Sequence, residues 1–382
     1  MNICAILAKY NPYSNCHLYH AAKTRAQNAD AVIAVMAGSV LNSGEPCAAK
    51  RAERAEWAVA AGVDCVVELP LVYCVSDFEN YVAGFAKTLS PLKTFSLSFG
   101  SEFSDASDIL NFNAQRRLES IEHGRLFSDF LQEDKAVGEP VKHKKSKIPQ
   151  NESKPIVDRG GEKFYGEKES QESMFLHFCG EAKRLRLNVD YRAVKKIQNS
   201  KNFLPSEQIL QRFYNGKDIW DFVPPHVKFF GIDIKKFEAL CLFAVNSKPA
   251  DELCRTLNFS DALAQRILKA KPSKYSELLD LSGGGIPRAQ IARAAVCAAL
   301  GVQKKHLELA RTLPPYLRVV AYKKGREDIL DYLKSKTPNV FYNATEYPSK
   351  IRSVAELDDK ADKLINLIKL SGAVCADNII PR

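Results

Sequence analysis

No apolar stretch in the 382 residues reaches the ~18 that a membrane-spanning helix needs. The opening apolar run, Met1 to Leu7, has no basic region before it and is followed at once by Lys9, so a signal peptide is not expected either. The chain is therefore expected to be cytoplasmic, with no membrane partner. Ten cysteines are present, yet no two form a C-x-x-C pair. Most lie inside apolar runs, where a thiol behaves as a small buried hydrophobe, so neither a metal site nor a disulfide framework is expected. Acidic residues are outnumbered, 45 against 55 Lys and Arg, and the resulting charge of +10 favours a polyanionic partner. No internal repeat is apparent.

The first hundred residues alternate in type. Asn2–Leu7, Ala31–Ala37, Asp64–Leu69 and Lys93–Phe99 read as strands, and His17–Asn28, Cys47–Ala61 and Asp77–Leu89 as helices. Strands separated by helices of about 10–15 residues imply βαβ units and a doubly wound parallel sheet covered on both faces. From Glu133 to Ser170 the pattern breaks: the stretch is polar, holds Pro140, Pro149, Pro155 and Gly160-Gly161, and reads as an insertion or lid. Ser170–Leu187 then reads as a helix and Val189–Ile197 as a strand. Beyond about Asp218 the pattern is helical, over Lys235–Val245, Asp251–Lys269, Arg288–Leu300, Lys304–Leu313 and Asp358–Leu370, with one strand at Tyr316–Tyr322. The expected division is an α/β domain over 1–215, interrupted by 133–170, and a mainly helical domain over 216–382.

The residues that could carry chemistry follow the strands directly, where a parallel sheet exposes its ligand edge. After the first strand come Tyr10-Asn11-Pro12-Tyr13-Ser14-Asn15-Cys16-His17-Leu18-Tyr19-His20. His17 and His20, three apart, share one face of the opening helix. A helix start also offers unpaired N–H groups and a positive dipole end, which together attract phosphate. This points to a nucleotide, although histidine pairs at this spacing are also common on helix surfaces. Met36-Ala37-Gly38-Ser39 and Ser43-Gly44-Glu45-Pro46 follow the second strand, Val66-Val67-Glu68-Leu69-Pro70 closes the third, and Ser98-Phe99-Gly100-Ser101-Glu102 closes the fourth. Glu68 reads equally as a site residue and as a structural partner. Between Lys183 and Lys201, seven cations, Lys183, Arg184, Arg186, Arg192, Lys195, Lys196 and Lys201, face Asp190 alone. A solvated helix face usually carries both signs, so this run favours phosphate contact.

Together these segments resemble the HIGH-type nucleotidyltransferase superfamily and, more narrowly, the tRNA(Met) cytidine acetate ligase family. The family pattern E-Y-N-P-F-H-N-G-H-x-Y-H is met by Lys9 to His20, its Gly-x-x-x-x-x-Gly-Glu-Pro loop by Gly38 to Pro46, V-I-E-L-P by Val66–Pro70, F-G-S-E by Phe99–Glu102, and P-P-Y-I-R-V by Pro314–Val319. The resemblance implies a nucleotidyltransferase-type sheet with a helical C-terminal domain, and an enzyme that uses ATP, with Mg²⁺, to turn acetate into acetyl-adenylate. The acetyl group would pass to N4 of the wobble cytidine of elongator tRNA(Met). On this reading His17 and His20 bind phosphate, Tyr10, Asn11, Pro12, Ser14 and Cys16 shape the ATP loop with Gly38, and Lys196 adds charge. Gly100 lets backbone approach the adenosine. Lys183, Arg184, Arg186, Lys195, Arg288 and Arg293 would contact the tRNA backbone.

Several departures fall on the chemistry. Ser14 stands where the family has its first histidine, and Cys16 where it has glycine. The P-N-N-I-L stretch aligns with Gln171–Phe175, which has no asparagine. K-R-I becomes Lys195-Lys196-Ile197, losing the bidentate fork of arginine. S-A-T-x-I-R becomes Pro205-Ser206-Glu207-Gln208-Ile209-Leu210, without its arginine and with a carboxylate at 207. Of the basic T-K-R-Y-T-R-T-R-x-x-R segment, Arg288 and Arg293 persist. Three functions stay open: an acetate–tRNA ligase, a degenerate paralogue that binds nucleotide or RNA without reacting, and an enzyme of another carboxylate or another nucleotidyl transfer. Oligomeric state is not legible.

Overall fold

A computed structural model of the chain describes residues 1–101, 105–107, 156–157, 163–164, 171–197, 201–228, 231–342 and 346–370. Strands β1 (Ile3–Ala8), β2 (Ala31–Ala37), β3 (Cys65–Leu69) and β4 (Thr94–Ser101) alternate with helices α1 (Asn15–Ala26), α2 (Arg51–Ala60), α3 (Leu71–Cys74) and α4 (Phe78–Leu89). Two short strands, β5 (Ile156–Val157) and β6 (Lys163–Phe164), pair with each other antiparallel. The rest of the insertion expected over 133–170 lies outside the described residues. Helix α5 (Gln171–Arg184) then leads into β7 (Asn188–Lys195).

These strands build a seven-stranded sheet in the order β7-β4-β1-β2-β3-β8-β9, where β8 is Leu317–Tyr322 and β9 is Val340–Phe341. The first five are mutually parallel, while β8 runs antiparallel to β3. Alternation along the strands explains why both faces are covered. Ile3, Ala5, Ile33 and Val35 enter one core, and Cys4, Ile6, Ala8, Val32, Ala34 and Met36 enter the other. Period-two side chains with no polar member leave a strand no face to offer water, so both must carry helices. The order reverses at β1, with β2 and β3 on one side and β4 and β7 on the other. That switch point opens a crevice at the carboxyl ends of β1 and β4.

The remaining helices are α6 (Ser206–Tyr214), α7 (Ile234–Asn246), α8 (Ala250–Arg255), α9 (Asp261–Ala270), α10 (Tyr275–Leu279), α11 (Arg288–Leu300), α12 (Lys304–Thr312), α13 (Glu327–Lys336) and α14 (Ser349–Ile368). The single helix expected over Asp251–Lys269 is α8 and α9, parted at Asn258, which takes a left-handed φ of 66°. Ser260 then caps α9 by accepting from the Leu263 N–H at 3.2 Å. None of the helices among the described residues is long and apolar enough to cross a membrane.

A buried ionic cluster welds α14 to the sheet. Glu68, at the carboxyl end of β3, accepts from Arg51 and lies 3.5 Å from Arg318 of β8. Arg318 reaches Asp359 at 2.6 Å and Asp358 at 3.8 Å, and Arg51 reaches Asp362 at 2.5 Å. Asp358 also accepts the Leu71 N–H at 2.6 Å. Glu68, Arg318 and Asp358 are all buried, and burial pushes both carboxyls up from their usual range against the pull of the two guanidinium groups. Glu68 of the Val66–Pro70 motif thus has structural partners, Arg51 of α2 and Arg318 of the Pro314–Val319 motif. Removing one member of a buried pair leaves an uncompensated charge, so Arg318→Met should cost roughly 3–5 kcal/mol. Chemical denaturation checks this; loss of under about 1 kcal/mol would contradict the account.

Candidate active site

The site begins where β1 ends. Tyr10 takes a left-handed φ of 47°, and the following residues turn the chain into α1. The turn is held from inside: Tyr10 and Tyr13 are buried, with ring centroids 4.8 Å apart. Asn11 is buried too, and its Oδ1 accepts the Ala48 N–H at 2.8 Å, fastening this loop to the one after β2. Ser14 is the N-cap of α1, with extended backbone.

His17 sits at the third helical position and closes half of a capping box, its Nδ1 accepting the Ser14 N–H at 3.0 Å. The Ser14 hydroxyl lies 3.1 Å from the same nitrogen. A ring nitrogen that accepts from a backbone N–H carries no proton, so a neutral His17 must hold its proton on Nε2, as a donor. The ring meets Tyr10 edge-on at 5.0 Å and Tyr13 at 5.4 Å. Burial in this aromatic setting, with His20 nearby, lowers its pKa to about 3. His20 Nε2 lies 2.9 Å from the Ser98 hydroxyl on β4, which is 2.7 Å from that of Thr24. Burial lowers His20 to about 4. The pair therefore offers hydrogen bonds rather than charge at neutral pH.

Ser98 and Gly100 lie on the same face of β4, two residues apart, so His20 and Gly100 share the crevice. The Lys196 stem lies over Gly100, where an added Cβ would meet Lys196 Cγ at 3.7 Å, an ordinary contact. Gly38 is different, since a Cβ there would come within 2.8 Å of Glu68 Oε1. Its carbonyl accepts from Arg54 and from the Cys47 thiol at 3.3 Å. Gly38 is needed for the approach of Glu68. Glu102 lies outside the described residues.

A second helix start meets the first. The α6 residue Ser206 donates from its hydroxyl to the Pro12 carbonyl at 3.0 Å, and the Cys16 thiol donates to the Leu204 carbonyl at 3.4 Å. The Asn15 amide donates to the carbonyls of both Asn202 and Asp221 at 2.9 Å. The starts of α1 and α6 thus lie against one another, and the space at their first turns is suited to a polyphosphate. Glu207, in the first turn of α6, brings negative charge to that space and helps burial push the Cys16 thiol up. Sequence reading did not assign a helix at 206–214 or a part to Asn15; their contacts span some two hundred residues.

The expected basic residues fall into two groups. Lys183, Arg184, Arg186 and Lys195 are exposed at the end of α5 and of β7, with Arg184 held by Glu181 at 2.6 Å. Arg288 is half-buried and bridges to Asp280 at 2.9 Å. Arg293 does not join them: it is 7 % exposed and donates to the Asn42 carbonyl at 3.1 Å. The same loop brings Gly44, with a φ of 86°, so close to α11 that a Cβ would lie 2.6 Å from the Ala292 carbonyl carbon. Arg293 thus serves loop docking rather than an RNA surface.

The model of the HIGH nucleotidyl transferase family matches residues 1–375. The chain belongs to that family. Its full-length relatives include the tRNA(Met) cytidine acetate ligases of Clostridium perfringens, 26 % identical over 100 % of this chain and 98 % of that protein, and Clostridium acetobutylicum, 25 % identical over 96 % of each. The ligase of Kosmotoga olearia is 44 % identical over 27 % of this chain and 24 % of its own length. Among solved structures, Thermotoga maritima TmcAL bound with alpha-thio ATP superposes with a TM-score of 0.73 at 20 % identity, covering 96 % of this chain and 94 % of that one. The doubly wound nucleotidyltransferase-type fold is thereby shown.

Within this family, the neutral state of the two histidines has a consequence for stability. Each has a folded pKa below its unfolded value near 6.5, so the unfolded chain binds more protons as pH falls. Stability should decline as pH drops below about 6.5, by roughly 1–2 kcal/mol per histidine at pH 5. Denaturation midpoints at pH 7 and 5 test this: His17→Asn should flatten the dependence, and an unchanged slope would contradict the assignment.

Proposed function

We propose that this protein activates acetate with ATP and passes the acetyl group to N4 of the wobble cytidine of elongator tRNA(Met). The observation that carries the reading is the His17 geometry, an Nε2–H donor at the start of α1 beside the second helix start, in a chain that matches acetate ligases from end to end. An acetate oxygen attacks the α-phosphorus, a new P–O bond forms, and the bond to the β-phosphate oxygen breaks to release pyrophosphate. The N4 amine then attacks the acetyl carbonyl carbon. AMP departs with the carboxyl oxygen, and N4 loses one proton to solvent.

The chain's contribution is binding and orientation. His17 Nε2–H and the helix N–H groups stabilise, by hydrogen bonds, the charge gathering on the departing pyrophosphate, and they are in place before the reaction. His20, anchored on Ser98, and the Lys196 stem over Gly100 line the switch-point side of the crevice. Among the described residues no group of three or more His, Cys, Asp or Glu side chains is placed to hold a metal. A Mg²⁺ ion would arrive on the triphosphate, which suits its preference for phosphate oxygens and water. Exposed Lys183, Arg184, Arg186 and Lys195 would meet the tRNA backbone.

A second reading, a nucleotide- or RNA-binding paralogue without ligase chemistry, is favoured by Glu207 and by the Cys16 tether at the phosphate position. Acetate-dependent exchange of labelled pyrophosphate into ATP separates the two. The ligase reading expects exchange, raised roughly three- to tenfold at low ATP by Glu207→Thr, because one opposing charge near a partly buried site costs about 1 kcal/mol. Exchange absent from both forms, with and without tRNA, would leave the second reading.

A further inference from the structure

The chain has two tryptophans, at positions 57 and 220. Trp57 is 6 % exposed, whereas Trp220 is 41 % exposed. A large aromatic left open to water forfeits much of the stabilisation its burial would bring, so its position calls for a reason.

Trp220 is not on a loose loop. It opens a short 3₁₀ turn, Trp220–Phe222, between Ile219 and Val223, both buried in the core beneath α2. Its backbone N–H donates to Asp218 Oδ1 at 2.9 Å, and the Arg212 Nε donates to the Asp218 carbonyl at 3.1 Å. The Arg212 guanidinium lies 5.1 Å from the Phe222 ring centre. The next residue, Asp221, offers its carbonyl to Asn15 at the first position of α1. Because the same Asn15 amide also holds the Asn202 carbonyl, the Lys201–Phe203 segment and the Trp220 turn meet at the mouth of the candidate active site. There Phe203 meets Tyr19 edge-on at 6.3 Å, while Lys201 of the one segment and Lys217, three residues before Trp220, are exposed, as are Glu207 and Asp221.

We infer that Trp220 is a stacking platform for an unpaired nucleobase of the RNA that this site serves. An exposed indole on an anchored turn takes any base face, and the exposed lysines of the two segments can meet the backbone beside it. A duplex keeps its bases stacked on one another and has none to offer. On the reading above, the adenine of ATP goes to Gly100 of β4 rather than to the Trp220 turn, so ATP is not expected to occupy the indole. The inference rests on the tRNA reading above and names the surface on which the acceptor loop is held.

Trp57 is buried and shielded from an incoming base, so intrinsic-fluorescence quenching that is lost in Trp220→Ala reports on Trp220. The full-length protein is titrated with the anticodon stem-loop of elongator tRNA(Met), with a blunt RNA duplex of equal length, and with ATP, while end-labelled RNA reports binding by anisotropy. Saturable quenching is expected with the stem-loop alone. Trp220→Ala should weaken stem-loop binding roughly tenfold, and Trp220→Phe should restore most of it, since a stacked base contributes about 1–3 kcal/mol. Stem-loop binding with neither quenching nor sensitivity to Trp220→Ala would overturn the inference and leave the tRNA reading standing. Equal quenching by the duplex, or quenching by ATP, would also overturn it. No binding of any RNA would remove the tRNA reading itself, and the inference with it.

Discussion

Glu68 carries a charge that cannot remain unpaired where it sits, and much of the molecule is arranged around that fact. It lies at the carboxyl end of β3, buried, with the Gly38 Cα pressed against it. Its partners come from α2 and from β8, a strand some 250 residues further along the chain. Arg318 extends the cluster to α14, and Arg51 reaches back to the same helix. One turn along α2, Arg54 grips the carbonyls of Lys9, Ala37 and Gly38. The ends of β1 and β2 are therefore fixed by the helix that also neutralises Glu68. The ligand edge of the sheet inherits its rigidity from buried charge as well as from apolar packing, which is how a preorganised site is held within small tolerances.

The site itself is built by meeting ends. A helix start supplies donors wherever it occurs, but two adjoining starts supply them from two directions, and here α1 and α6 are pinned together through Pro12 and Cys16, with Asn15 tying in the Trp220 turn. The Ser14 cap gives the first of these its chemical character. By donating to His17 Nδ1 it directs the imidazole proton to Nε2, so a residue that could serve as a cation serves as a neutral donor. That choice is consistent with an aromatic cage that would penalise a charged ring. Glu207 and Cys16 work in the opposite direction, one by bringing negative charge to the first turn of α6 and one by tying its side chain to the Leu204 carbonyl.

The strands of the parallel sheet were legible because Ala31–Ala37 is an unbroken apolar run and Cys65–Leu69 is interrupted by Glu68 alone, the signature of strands buried on both faces. The crevice followed from them by topology. Helix α6 was passed over although Ile209, Leu210, Phe213 and Tyr214 fall at helical spacing, because nine residues make a short period that fully buries Ile209 alone. Arg293 looked like a surface cation in the sequence, because a charge on a helix gives no sign of the loop that covers it. Glu68 read two ways for the same reason, since a carboxylate at a strand end has the same sequence whether its partner is a ligand or an arginine. Asn15 and Trp220 belong together only through a hydrogen bond between residues more than two hundred positions apart, and local pattern carries no information at that range.

The central claim is that His17 waits as a neutral imidazole with its proton on Nε2 and receives phosphate there. Nitrogen-15 NMR of the imidazole, at pH 7 with and without alpha-thio ATP, addresses it most directly. The account predicts a neutral ring, protonated at Nε2, whose Nε2 resonance moves on nucleotide binding while Nδ1 keeps its acceptor shift. A ring already charged at pH 7, or one protonated at Nδ1 and indifferent to nucleotide, would contradict it.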